Sequence, residues 1–118
     1  MGLCCEDTAL LEDCAARYFS DPRRYRWHYS FPIAIEVCAP AASKGAALQS
    51  LLRGGTIRPD LVAVAGDSAN DLSMFPCADV GFAPRDAVPE VLAAADHVVS
   101  TAGEGCVADA LRMLMDMA

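Results

Sequence analysis

A chain of 118 residues, 54% hydrophobic and 21% charged, has the composition of one small folded domain and excludes a disordered chain. Its net charge of −7, with Arg23, Arg24 and Arg26 as the one local basic cluster, excludes a general nucleic-acid binder, whose affinity rests on clustered cations. No apolar run approaches the ~20 residues that span a bilayer, and acids stand where an export signal carries bases. A cytoplasmic protein with no membrane partner is therefore expected. Met1-Gly2 opens like a myristoylation signal, but Glu6 occupies the position that signal reserves for Ser or Thr.

In chain order, Leu10, Leu11, Cys14, Ala15 and Tyr18 recur at helical spacing and predict an amphipathic helix over 8–18, ended by Ser20-Asp21-Pro22. From 25 to 37 every odd position is apolar or aromatic, which predicts strand with one covered face and antiparallel pairing. Thirteen residues exceed the usual strand of about 5–6, so Pro32 either splits this one or marks an edge. The aromatics along it are expected to pack in a core.

Beyond Pro40 helices alternate with short, wholly apolar strands, the pattern of a parallel sheet covered on both sides, and a boundary falls at 38–42. Ser43 caps a helix through Arg53, stopped by Gly54-Gly55. Strands are predicted over 61–65, 80–83 and 97–100, and helices over 70–75, 88–95 and 104–117. Asp86 is the expected cap of the second of these helices, and Val107, Ala110, Leu111 and Leu114 form the expected buried face of the third. The six cysteines show no CxxC and no ligand spacing with His, so buried free thiols are expected.

The segment richest in chemistry is Gly66-Asp67-Ser68-Ala69-Asn70-Asp71, placed at the carboxyl end of a buried strand, where ligands of open α/β sheets bind. Asp67, Asn70 and Asp71 offer hard oxygen donors of the kind Mg2+ takes together with water and phosphate, and Gly66 allows the backbone to turn. The same residues would also serve as side-chain turns and a helix cap. Lys44 is the single lysine among nine basic residues and stands at a helix start, where backbone N–H groups favour an anion; it would also pass as an ordinary first-turn lysine.

The order and spacing of these pieces carry more than either one. IEVCAPAASKGAALQSLL, VAVAGDSANDLSMFPCADVGFAP and HVVSTAGEGCVADAL, continuous over about 33–115, resemble the C-terminal part of haloacid-dehalogenase-like phosphatases of the Cof, or IIB, type. The resemblance implies a partial Rossmann-like α/β fold over 39–118, a parallel sheet with helices on both faces, preceded over 1–38 by the helix and long strand that end a cap domain. It implies that Lys44 steadies the nucleophile and the substrate phosphate. Asp67 would bind Mg2+ directly, with Asn70 and Asp71 as ligands or as partners of the ligands, and with Ser68 and Gly66 close by. The implied substrate is a phosphorylated small molecule such as a sugar phosphate.

Two departures qualify this. Arg85-Asp86-Ala87 stands where the family often has asparagine, and no DxD, the segment that carries the family's nucleophilic aspartate, occurs in the chain. Little phosphatase activity is expected from the chain alone, and the strand over 61–65 would lack the neighbour that bears the nucleophile. Self-association or complementation by an N-terminal half would follow. A non-catalytic Mg2+- or phosphate-binding module that associates with a partner stays open beside the phosphatase reading. DAVPEVLAAADHVVS also fits a small capless sugar-phosphate phosphatase of the same superfamily.

Overall fold

The computed structural model describes residues 1–55 and 57–117, which pack as two compact units, Met1–Ala42 and Ser43–Ala118. Among the described residues no helix is long and apolar enough to cross a membrane.

The first unit lays one helix, α1 (Thr8–Tyr18), on a three-stranded antiparallel sheet of order β1 (Gly2–Cys4), β3 (Ala34–Cys38), β2 (Arg26–Phe31). Asp7 caps α1 by accepting a hydrogen bond from the Leu10 amide at 3.1 Å. Leu11 and Ala15 face Ile35 and Val37, with Leu3, Phe19, Tyr25 and Trp27 packed around them. Ile35 is fully buried, and withdrawing such a side chain from water contributes about 1.5–3 kcal/mol.

Pro32 splits the stretch over 25–37, as one of the two expectations had it: the chain forms a hairpin that turns at Pro32-Ile33, and the single long strand implied by the resemblance is two. Trp27 opposes Val37 and Tyr29 opposes Ile35, so odd positions face odd positions across the pair. Next to the turn the register shifts and Phe31 pairs with Ala34; Phe31 and Ile33 are exposed, so of the aromatics expected in the core only Tyr25 and Trp27 pack there. Strand β1 carries no sequence signal of its own; it pairs with β3 through Gly2↔Glu36, Leu3↔Ile35 and Cys4↔Ala34.

The second unit is α/β. Its parallel sheet runs in the order β4 (Ala63–Ala65), β5 (Val80–Pro84), β6 (His97–Val99), with α2 (Lys44–Arg53), α3 (Pro89–Ala94), α4 (Cys106–Met117) and a 3₁₀ helix (Ala69–Cys77) around it. Every residue of β5 is buried. Val80 and Phe82 pack with Val99 against Ala110 of α4, while Ala83 packs with Ala87 and Val91 of the α3 region and with Leu72 and Phe75 of the 3₁₀ helix. Both faces of the strand are therefore covered, which accounts for its unbroken apolar run.

Three local expectations are corrected. Val88, not Asp86, is the cap residue of α3; the Asp86 carboxylate accepts from the Ala102 amide instead, at 3.1 Å. In α4 the side that meets Val80, Phe82 and Val99 of the sheet carries Cys106, Ala110, Met113 and Leu114, which leaves Val107 and Leu111, on an adjoining stripe, more than half exposed. The six cysteines are free, but Cys4 is exposed and the others are only partly buried.

Candidate functional site

The loop Gly66-Asp67-Ser68 leaves the carboxyl end of β4 and feeds the 3₁₀ helix. Asp71, one turn in, is the single buried charged residue among those described, with 4% of its surface exposed. A carboxylate there is tolerable only if its oxygens are matched by donors. The Lys44 ammonium is bonded to Oδ1, and the amides of Asp67 and Ser68 donate to Oδ2 at 3.0 and 3.2 Å. Burial alone would push the Asp71 pKa up, but the Lys44 bond and the two amides outweigh it and hold the group below the ordinary carboxylate value.

Lys44 reaches this carboxylate from the first position of α2. Ser43 caps that helix through a 3.0 Å bond from the Ala46 amide to its Oγ. The Gly45 amide donates to Ser73 Oγ of the 3₁₀ helix, also at 3.0 Å. Half of the Lys44 side chain remains exposed, so the ammonium is both ion-paired and open to solvent.

Asp67 has a different environment. It is exposed, and its Oδ1 accepts a 3.1 Å hydrogen bond from Ser68 Oγ, which leaves Oδ2 open. Asn70 is exposed on the same loop. The loop is tied to the start of α3 by the Val88 amide, which donates to the Asp67 carbonyl at 2.9 Å. Of the residues singled out in the sequence, Lys44, Asp67, Ser68 and Asp71 are thus joined in one hydrogen-bonded cluster, with Gly66 beneath and Asn70 at its margin.

Three glycines make that cluster possible, each on a different element and each lying under the 3₁₀ helix. A Cβ on Gly45 would sit 1.9 Å from the Ser73 carbonyl oxygen, one on Gly66 2.4 Å from Asp71 Cβ, and one on Gly81 2.6 Å from the Phe75 ring. Ser73 and the close approach at Gly45 were not signalled by any motif. The Ser-Lys-Gly sequence at a helix start was the one hint.

Among the described residues no group of three or more His, Cys, Asp and Glu side chains is placed to hold a metal ion. The donor set does fit Mg2+, which uses one or two carboxylates and completes its shell with water and phosphate oxygens. Asp67, with one uncommitted oxygen, is such a carboxylate, and the Asn70 amide oxygen is a possible companion. Asp71 gives three of a carboxylate's roughly four acceptor sites to Lys44 and the loop amides, and keeps about one, on Oδ1.

The family model for haloacid dehalogenase-like hydrolases matches residues 2–111 of the chain. A phosphoglycolate phosphatase of Methanothermobacter thermautotrophicus is 40% identical over 88 residues, which cover 74% of this chain and 39% of that protein. The fold superposes on the crystal structure of a haloacid dehalogenase-like hydrolase from Bacteroides thetaiotaomicron with a TM-score of 0.79 and 26% identity, covering 96% of this chain and 42% of that one. A solved subclass IIB sugar phosphatase gives a TM-score of 0.68 at 25% identity, with coverages of 90% and 40%. The chain thus spans about two fifths of the length of these relatives.

Proposed function

We propose, from the premise that this chain belongs to the haloacid dehalogenase-like hydrolase family, that it supplies the cation and the metal-binding acid of a Mg2+-dependent phosphomonoester hydrolase. The observation that carries the reading is the Asp71 carboxylate, which links the Lys44 ammonium to the loop bearing Asp67. In this reading the unit Ser43–Ala118 is the C-terminal half of the catalytic core, and Met1–Ala42 is the end of a cap.

Each side chain then has one task. Lys44 neutralises the phosphate and steadies the attacking carboxylate. Asp67 holds Mg2+ through its open oxygen, Ser68 fixes the orientation of that carboxylate, and Asn70 lies within the same loop as a further oxygen donor. Asp71 keeps Lys44 and the loop in place. Bound Mg2+ would supply charge neutralisation at the transferred phosphoryl group. The nucleophilic aspartate comes from a separate DxD-bearing segment.

The proposed docking edge for that segment is β4. Val62 and Gly66 direct their backbone hydrogen bonds to β5, so Ala63 and Ala65 present N–H and C=O groups on the opposite side, and β4 ends the sheet order among the described strands. A phosphorylated small molecule, a sugar phosphate or similar, is the proposed substrate, in keeping with the phosphoglycolate and sugar phosphatases among the relatives. Six free thiols fit a reducing, cytoplasmic setting.

Co-expression with a DxDxT-containing polypeptide, followed by assay on phosphomonoesters with Mg2+, tests the proposal. Turnover that appears with the partner and disappears in Lys44→Ala is expected. No gain over the chain alone would favour the second reading, a non-catalytic Mg2+- or phosphate-binding module, which the lack of any DxD in the sequence keeps in play.

A further inference from the structure

The clasp between α2 and the 3₁₀ helix has one ionic closure and three others: at its far end Gln49 donates to the Cys77 thiol and that thiol meets the Gly45 carbonyl, while the two closures nearest the site lie at Lys44 and at the Gly45 amide. Lys44 bonds to Asp71; the next residue, Gly45, donates its amide to the hydroxyl of Ser73, two residues beyond Asp71. The first N–H groups of a helix lack intrahelical acceptors. Ser43 satisfies that of Ala46 from within the same segment, whereas the acceptor for Gly45 comes from another element altogether.

We infer that Ser73 is a positioning residue for Lys44, pinning the first turn of α2 so that the ammonium stays over the Asp71 carboxylate. Three features require the pin. A lysine at the first helical position faces the positive end of the helix dipole, so its ammonium is not held there by its own helix. Its side chain is half exposed and free to rotate into water once released. The Gly45 backbone approaches Ser73 so closely that a Cβ would meet the carbonyl oxygen at 1.9 Å, so the hydroxyl bond is made across a contact with no slack.

The inference deepens the reading of Lys44 as the phosphate-steadying cation and rests on it. Its test reads amine chemistry in the metal-free chain, so it can fail while that reading stands, and the reverse.

Lys44 is the single lysine in the chain, so acylation by a small activated ester, followed by peptide mass mapping to separate the N-terminal amine, reports on this one ammonium. Ser73→Ala should raise the Lys44 acylation rate about three- to tenfold, the factor that one net hydrogen bond contributes. Ser73→Thr, which keeps the hydroxyl, should stay near the wild-type rate, and Asp71→Asn should give the upper limit for a released lysine. Equal rates in Ser73→Ala and wild type would overturn the inference, as would an equal rise in the alanine and threonine variants. If Ser73→Ala does not fold, hydrogen exchange of the Gly45 amide in the wild-type chain decides: protection supports the pin, and exchange at the rate of an open amide refutes it.

Discussion

The Lys44 ammonium lies half in water, yet its partner, the Asp71 carboxylate, is almost fully buried, so the two ends of one ion pair have unequal stakes in it. Removing the exposed partner leaves a buried charge that still holds two amides. Removing the buried one strips three donors of their acceptor at once.

Asp71→Ala should therefore cost about 2–3 kcal/mol of unfolding free energy, the penalty for unsatisfied buried donors. Lys44→Ala should cost about 1 kcal/mol or less, since solvent screens its half of the pair. Urea denaturation of both variants checks the order; equal losses would contradict it.

Gly45→Ala carries a prediction of sign. Inside an exposed helix, alanine for glycine stabilises by about 1 kcal/mol. Here the added Cβ meets backbone, the Ser73 carbonyl, so the substitution should lower the thermal midpoint instead. A raised midpoint would show that α2 can back away from the 3₁₀ helix.

Asp109 supplies a pH prediction away from the cluster. The Ser100 hydroxyl bonded to it is the largest influence and outweighs the upward push from burial, so that, with a lesser contribution from the Arg112 charge, its pKa lies below the ordinary value. A carboxylate depressed in the folded state stabilises above its unfolded pKa of about 3.9 and loses that contribution as pH falls through the lower folded value. Ser100→Ala should move the Asp109 titration up, as followed by carbon-detected NMR, and should flatten the acid limb of the stability curve. An unmoved titration would point to Arg112 as the main cause.

Ala63→Pro tests the free side of β4. The Ala63 amide faces away from β5, so proline there removes no hydrogen bond of the sheet as described, and the circular dichroism spectrum should be unchanged. Complementation by a DxD-bearing polypeptide should be lost. Retained complementation would mean that the nucleophile docks elsewhere.

Much of this was legible in the sequence, and the misses have physical causes. Helix α1, the Ser43 cap and the three strands of the parallel sheet follow from apolar spacing and cap chemistry, which are local. Pro32 marked the break over 25–37, but alternation alone could not tell a split from an edge, and the register shift beside the turn, which leaves Phe31 exposed, has no mark in the pattern. Asp86 was read as a cap because carboxylates near helix starts usually are; its acceptor role for Ala102 joins residues sixteen apart and has no local mark. For the same reason Lys44, Asp67 and Asp71 could be named while Ser73 could not. A motif marks the chemistry, but the side chain that holds the motif's neighbour is chosen by packing.

Gly45, Gly66 and Gly81 come from a helix, a loop and a central strand, yet all three make room for one nine-residue 3₁₀ helix. Their substitutions should not act as independent lesions. Once one Cβ has lifted that helix, a second beneath it meets less resistance, and the combined loss should fall short of the sum. In genetic terms the three sites form one epistatic group, and Gly81, buried in the middle of the sheet, would be selected for the same reason as the glycine beside the lysine.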